Sequence, residues 1–254
     1  MIPTYVVIPT ANRPEVCFDA VDSIWDQVDG VVVIDSGFDK PVPSAPTTYS
    51  LLQWSRSDPF NPFQAPAPTT YSLLQWSRSD PFNLSQAWNI GIVMARAWAG
   101  DWYYPHESSW YYPHEPSYQW NVAVINDDAV VPPGWVETVS TRMRYHGAAA
   151  ACSGSPTGKE LMHVHPRPVD LRTRLSGWAF MLAGEKAIMA DERLVWWFGD
   201  DDLDWKCRLA GGTLVIPGLP VENRFPNGQH TPERQEQADR DRATFESMWG
   251  MAPW

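Results

Sequence analysis

Apolar residues fall along this chain in two rhythms. Tyr5–Pro9 (YVVIP) and Val31–Ile34 (VVVI) are short unbroken apolar runs, the pattern of parallel strands buried on both faces. Between them Val16, Ala20, Ile24 and Val28 recur at helical spacing, in a segment opened by Pro14 and Glu15. Strand, loop, helix, strand predicts the start of a doubly wound sheet with a right-handed crossover. Leu84–Ala99 (LSQAWNIGIVMARAWA) predicts a helix capped by Asn83 or Ser85, its small residues close against the sheet. Further on the pattern predicts a strand over Trp120–Asp128, a helix over Pro132–His146 begun by the proline pair, and a strand over Ala148–Cys152. Ser153–Thr173 reads as a loop or lid and Leu175–Leu182 as a strand. Asp204–Ala210 reads as a short helix stopped by Gly211-Gly212. Thr213–Ile216 is the last expected strand, and Thr231–Trp249 a charged C-terminal helix.

One region breaks the pattern. Ala45–Asn61 (APTTYSLLQWSRSDPFN) recurs letter for letter as Ala67–Asn83, and Trp102–Glu107 (WYYPHE) recurs as Trp110–Glu115. Two copies do not make a solenoid, and only one TTYSLLQW segment can fill a given strand position. The later copy of each repeat runs straight into the next regular element, so the later copies are expected in the fold. The earlier copy is then a surface excursion, which loop entropy tolerates, or an added edge strand.

The chain has 254 residues, enough for a sizeable α/β core. Its formal net charge of −11 disfavours nucleic acid as a partner, because the basic residues at Arg142–Arg144 and Arg167–Arg174 form no continuous stripe. Cys17, Cys152 and Cys207 have no metal-binding or disulfide spacing, and reduced thiols in the cytoplasm are expected. The opening residues do not read as a signal peptide, and no run approaches a membrane span.

The chemistry gathers in acidic groups. The strand predicted over Trp120–Asp128 ends in Asn126-Asp127-Asp128, and Asp200, Asp201, Asp202 and Asp204 crowd one short segment. Carboxylates this dense raise one another's pKa unless a cation neutralises them, so Mg²⁺ or Mn²⁺ is the economical partner. The plainer reading of Asp200–Asp204 is a helix N-terminus decorated with acids. Asp35 closes the second strand, and His230 follows the last one. Trp178, Trp196 and Trp197 could stack on a ligand or simply fill the core. No GxSxG, P-loop or GxGxxG is present.

These segments, in their order, resemble the nucleotide-sugar glycosyltransferases of GT-A fold, family 2 type. VVIPTANRPE resembles that family's first strand and loop, and VVVIDSG its second strand. NLSQAWNIGI resembles its A-R-N-x-G helix with Trp88 in place of Arg. VINDDAVVPPGW resembles the strand that ends in the DxD motif. LSGWAFML resembles the acceptor-side strand, and FGDDDLDWKCRLAGG the E-D-x-D-L segment with Gly199 in place of Glu. The resemblance implies a single GT-A-like α/β domain: a Rossmann-like, mostly parallel sheet flanked by helices, with a C-terminal helix. Residues 1–118 would form the nucleotide-binding half, 119–220 the metal and acceptor half, and 221–254 a C-terminal segment. It implies an inverting, metal-dependent transfer of one sugar from a nucleotide-diphosphate sugar to a hydroxyl acceptor. Asp200 or Asp201 would be the base. Asp128 and His230 would hold Mn²⁺ or Mg²⁺. Pro9, Thr10, Asn12, Arg13, Asp35, Asn89 and Asp127 would line the donor pocket, and Trp178, Trp196 and Trp197 the acceptor side. Asn126 departs from the first acid of the DxD motif. A degenerate, non-catalytic nucleotide- or sugar-binding protein is the alternative. A sugar-nucleotide pyrophosphorylase would need a glycine-rich basic loop where TANRPE stands, and a glycoside hydrolase would not need the metal strand.

Overall fold

The computed structural model describes residues 2–11, 13–35, 50–54, 71–76, 82–100, 118–224 and 231–254, with the backbone alone at 14–15, 50–54 and 71–76. Strands β1 (Thr4–Thr10) and β2 (Gly30–Asp35) flank helix α1 (Pro14–Ile24), as the first apolar rhythm predicts. Next come β3 (Ser50–Trp54), β4 (Tyr71–Trp76), α2 (Leu84–Trp98), β5 (Asn121–Ile125) and β6 (Ala129–Val130). The second half holds α3 (Trp135–Tyr145), β7 (Ala150–Ser155), β8 (Leu161–His163), β9 (Ala179–Ala183), α4 (Gly199–Leu209), β10 (Thr213–Pro217), β11 (Glu222–Asn223) and α5 (Pro232–Trp249).

Nine strands form one sheet in the order β3-β4-β2-β1-β5-β9-β7-β10-β8, and β11 pairs separately with β6. From β3 to β5 all neighbours run parallel. Strand β9 runs antiparallel between β5 and β7, and β8 antiparallel along β10. Alternate residues of β1 feed the two faces. Val6 and Ile8 pack with Val21, Ile24, Trp135 and Met143 on one side, and Tyr5 and Val7 with Ala87, Trp88, Leu203 and Cys207 on the other. Pro9 fits inside β1 because the ladder to β5 ends at Val7, where a missing N–H is no longer needed.

The later copy of the duplicated segment, β4, joins β2, and the earlier copy, β3, lies at the sheet's end in identical register, with Leu51 opposite Leu73 and Trp54 opposite Trp76. The second duplication, 102–115, lies outside the described residues. Several expected boundaries move: α1 ends at Ile24 with Val28 extended, β5 ends at Ile125, and β9 begins only at Ala179. Pro132-Pro133 precedes α3, because the Pro132 carbonyl accepts the Trp135 N–H at 3.2 Å and closes a turn first. The 153–173 segment is not all loop, since Leu161–His163 finds β10 as an antiparallel partner. Helix α4 begins at Gly199, so the acids lie inside its first turns, where the helix dipole favours them.

Two of those acids belong to the scaffold. Asp204 and Arg208 are both fully enclosed and paired one turn apart, and Arg208 also donates to the carbonyls of His165 and Arg167. Asp202 accepts from the Asp191 N–H, Lys206 and the Trp249 indole. Helix α5 lacks an apolar stripe and is seated by Phe245 and Asp241. Phe245 joins Leu194, Phe198 and Trp205, while Asp241 accepts the N–H groups of Val195, Trp196 and Trp197. No helix among the described residues is long and apolar enough to cross a membrane. Removing one member of an enclosed ion pair strands the other. Arg208→Ala should therefore cost about 3–5 kcal/mol in a urea titration, and a loss below about 1 kcal/mol would show that the pair is solvated.

Candidate active site

The site forms where parallel strands end, the usual place for a ligand in an open α/β sheet. Thr10 and Asp35 face each other across the β1–β2 ladder, and both are buried. After β5 the chain turns at Asn126-Asp127-Asp128, closed by the Ala129 N–H on the Asn126 carbonyl at 3.0 Å. Asp127 accepts from the Thr10 hydroxyl at 2.8 Å and from Arg13 Nε at 3.1 Å, and Arg13 Nη1 reaches Asp128 at 3.2 Å. Burial pushes the Asp127 carboxyl up to about 6, against the opposing pull of Arg13 and Thr10.

The second acid group reaches the same place through β9. Ile125 pairs with Ala179, so the start of β9 lies beside the end of β5. Just ahead of that pair, the Asn126 N–H donates to the Trp178 carbonyl at 2.8 Å. Gly177 sits so close to Asp200 that a Cβ there would come within 2.6 Å of Oδ2. Residues 177–178 thus touch the Asn126–Asp128 turn on one side and the α4 acids on the other. Asp200 and Asp201 meet Arg174, whose Nη1 donates to Asp200 Oδ2 at 2.8 Å and lies 2.9 Å from Asp201 Oδ1. The Asp200 side chain is 19% exposed and that of Asp201 2%. Burial first, and the negative Asp200 second, push the Asp201 carboxyl up to about 8.

The remaining expected residues divide. Trp178 and Trp197 are exposed, at 46% and 39%, beside Gly177 and at the approach to α4. Trp196 instead packs edge-on against Phe82 and under Arg234, so it serves as packing. The Asn89 amide clips α2 to the 190–192 loop by bonding both the N–H and the carbonyl of Ala190 and the Glu192 carboxylate. That use of its polar atoms replaces the donor contact expected of it. Asn12 and His230 lie outside the described residues. Sequence reasoning missed Arg174 and Trp254. Trp254 favours the charged form of Asp201, and its ring stacks on Phe198 at 5.8 Å. Neither position stands out by spacing, because each reaches the acids through tertiary packing. Two of the three departures from the pattern the sequence resembles, Trp88 and Gly199, meet here as well. A Cβ at Gly199 would lie 2.6 Å from Ser85 Oγ and 3.1 Å from the Trp88 ring.

Among the described residues no three His, Cys, Asp or Glu side chains form a metal cluster. The oxygens nearest to that task are the Asp128 carboxylate and Asn126 Oδ1, which is buried without a hydrogen-bond partner. An oxygen-only set of this kind fits Mg²⁺ or Mn²⁺, which take several ligands from water and substrate phosphates. Arg224, whose N–H donates to the Asp128 carbonyl at 2.8 Å, is the last described residue before the 225–230 segment that carries His230. Cys17, Cys152 and Cys207 are free and buried, and burial pushes each thiol up, Cys152 to about 12.

No protein-family model matches the chain, and no curated protein sequence does so. Solved structures do. The S. aureus TarS fragment 1–349 aligns over 98% of this chain and 74% of its own, with a TM-score of 0.52 and 10% identity. GalNAc-T7, solved with UDP, GalNAc and Mn²⁺, aligns over 98% of this chain with a TM-score of 0.57 and 11% identity; this chain spans 48% of that one. A mycobacterial protein gives a TM-score of 0.52 at 15% identity, over 98% of this chain and 76% of its own. At such identities the likeness is one of fold, and the fold is GT-A.

The raised Asp201 carboxyl links stability to pH. The folded chain holds that proton up to about pH 8, whereas an unfolded Asp releases it near pH 4. Its stabilising contribution is thus complete below about pH 4 and is lost as pH rises towards 8. Thermal melts of wild type and Asp201→Asn should diverge with pH, with the variant gaining relative stability between pH 5 and pH 8. Parallel curves would mean that Asp201 is ionised across that range.

Proposed function

We propose that this protein is an inverting glycosyltransferase of family 2 type that moves one sugar from a nucleotide-diphosphate sugar to a hydroxyl acceptor. The observation that carries the reading is the double contact of residues 177–178, with the Asn126 turn on one side and Asp200 on the other. A donor-binding acidic turn and a base must face each other across a reacting sugar, and a seam that touches both acidic groups supports that reading. The ligands seen with GalNAc-T7, which shares the fold, support the donor class.

In the proposed reaction Asp200 takes the proton of the acceptor hydroxyl. The freed oxygen bonds to the anomeric carbon as that carbon's bond to the diphosphate oxygen breaks. The electron pair leaves with the nucleoside diphosphate, and displacement from the opposite face inverts the centre. Asp200 is the better base of the two because its carboxylate is partly exposed, while Asp201 is enclosed. Thr10, Arg13, Asp35 and Asp127 would border the donor, and Trp178 and Trp197 would offer flat faces to the acceptor. Asp128 and the Asn126 amide oxygen are the residues that would hold Mn²⁺ or Mg²⁺, whose chemistry is to spread the charge that develops on the departing diphosphate.

One observation favours the non-catalytic alternative. Arg13 already bridges Asp127 and Asp128 and supplies the cation that a metal would bring. A thermal-shift panel of UDP-, GDP-, CMP- and dTDP-sugars, each with Mn²⁺ and with EDTA, tests both readings. The transferase reading expects a metal-dependent rise with one nucleotide, weakened about tenfold or more in affinity by Asp128→Ala. Asp200→Asn should bind that donor normally and lose transfer by about a hundredfold or more. Donor binding without turnover in the wild type would establish the alternative, and near-normal transfer by Asp200→Asn would move the base elsewhere.

A further inference from the structure

Arg174 belongs to none of the segments that resemble a known family, yet it is the cation nearest the paired acids. It leaves the short helical turn at Leu171–Thr173 and enters the approach to β9. Its Nη1 is shared unequally. It makes a directed hydrogen bond to Asp200 Oδ2 at 2.8 Å, but only an ion-pair contact to Asp201 Oδ1 at 2.9 Å, an atom without any hydrogen bond. Arg174 Nε is buried and has no hydrogen-bond partner. The guanidinium has thus given up solvent for this contact, which is costly unless the charge beside it is negative.

Other charged and titratable groups surround the pair. From α4, Asp204 adds negative charge, itself paired with Arg208. From β7, the Cys152 thiol donates to the Arg174 carbonyl at 3.6 Å and stays neutral. From the C-terminal segment, Trp254 favours the charged form of Asp201. Two adjacent carboxylates with a single shared cation cannot both ionise cheaply, so one keeps a proton. The directed bond and the greater exposure single out Asp200 as the carboxylate that Arg174 engages.

We propose that Arg174 is the positioning residue of the carboxylate pair: it fixes the Asp200 carboxylate beside Gly177, with Asp201 enclosed behind it. The proposal rests on the reading of Asp200 as the base. It makes the strength of that base depend on a side chain that touches neither donor nor acceptor.

The test uses the full chain with Arg174→Gln and Arg174→Lys. Without the cation the Asp200 midpoint rises, so the acid limb of the transfer rate should move up by about one pH unit or more in Arg174→Gln. Its rate should recover at high pH, and KM for the donor should stay within about twofold. Arg174→Lys restores charge and should bring the limb most of the way back. A loss by the same factor at every pH would assign Arg174 a merely structural role and overturn the proposal. Carboxyl ¹³C NMR of Asp-labelled protein, assigned with Asp200→Asn, reads the same midpoint without turnover. An unmoved Asp200 midpoint in Arg174→Gln overturns the proposal whatever the activity. A raised midpoint in a protein that transfers no sugar upholds the Arg174 assignment and removes the transferase reading instead.

Discussion

The site depends on one strand that runs the wrong way. Had β9 been parallel to β5 and β7, its leading residues would enter at the opposite edge of the sheet. Because it is antiparallel, Gly177 and Trp178 arrive where β5 ends. The Asn126–Trp178 hydrogen bond then extends the ladder by one step beyond the Ile125–Ala179 pair. The backbone that closes the sheet is therefore the backbone that separates the two acidic groups. A Cβ at 177 would come within 2.6 Å of Asp200 Oδ2 and displace that carboxylate, so glycine leaves the carboxylate its position.

Around that seam, charge is sorted by burial and partner. Asp202 and Asp204 spend their oxygens on the scaffold, tying α4 to the 191 loop, to Trp249 and to the 165–167 segment through Arg208. Asp127 is held by Thr10 and Arg13, which fixes the β1 loop to the β5 turn. Asp128, Asp200 and Asp201 are left with fewer commitments, and their surroundings differ. Enclosure and a negative neighbour push the Asp201 carboxyl up, and Asp200 takes the directed hydrogen bond of Arg174. Helix α5 adds a second brace. Asp241 accepts three successive N–H groups of the 195–197 segment that leads into α4. Phe198 holds a left-handed conformation at the helix start, kept in place by Phe245 and Trp254.

Two departures from the family pattern become one structural fact. Trp88 stands where the family's helix carries Arg, and Gly199 where its acidic segment carries Glu. They are in contact, and the Trp88 ring fills space that any side chain at 199 would need. Phe180 packs edge-on against the same indole at 5.7 Å. Read singly, each substitution suggests a damaged site. Read together, they set a packed aromatic against a glycine, and Asp200 keeps its place next to Gly177.

Much of the fold was legible in the sequence because local rules dominate there. Unbroken apolar runs predict β1 and β2 to within a residue, the stripe between them predicts α1 but runs on to Val28, past the helix end at Ile24, and Asn83 caps α2 as its type predicts. The acids ending β5 and opening α4 were visible as chemistry, since a carboxylate cluster has no cheap apolar explanation. Tertiary structure decided the rest. The direction of β9, the partner that makes Leu161–His163 a strand, and the commitment of Asn89 to a loop all depend on residues far away in the chain. Arg174 and Trp254 joined the site for the same reason. Periodicity records which face of an element is buried, but not which distant backbone or charge will lie against it.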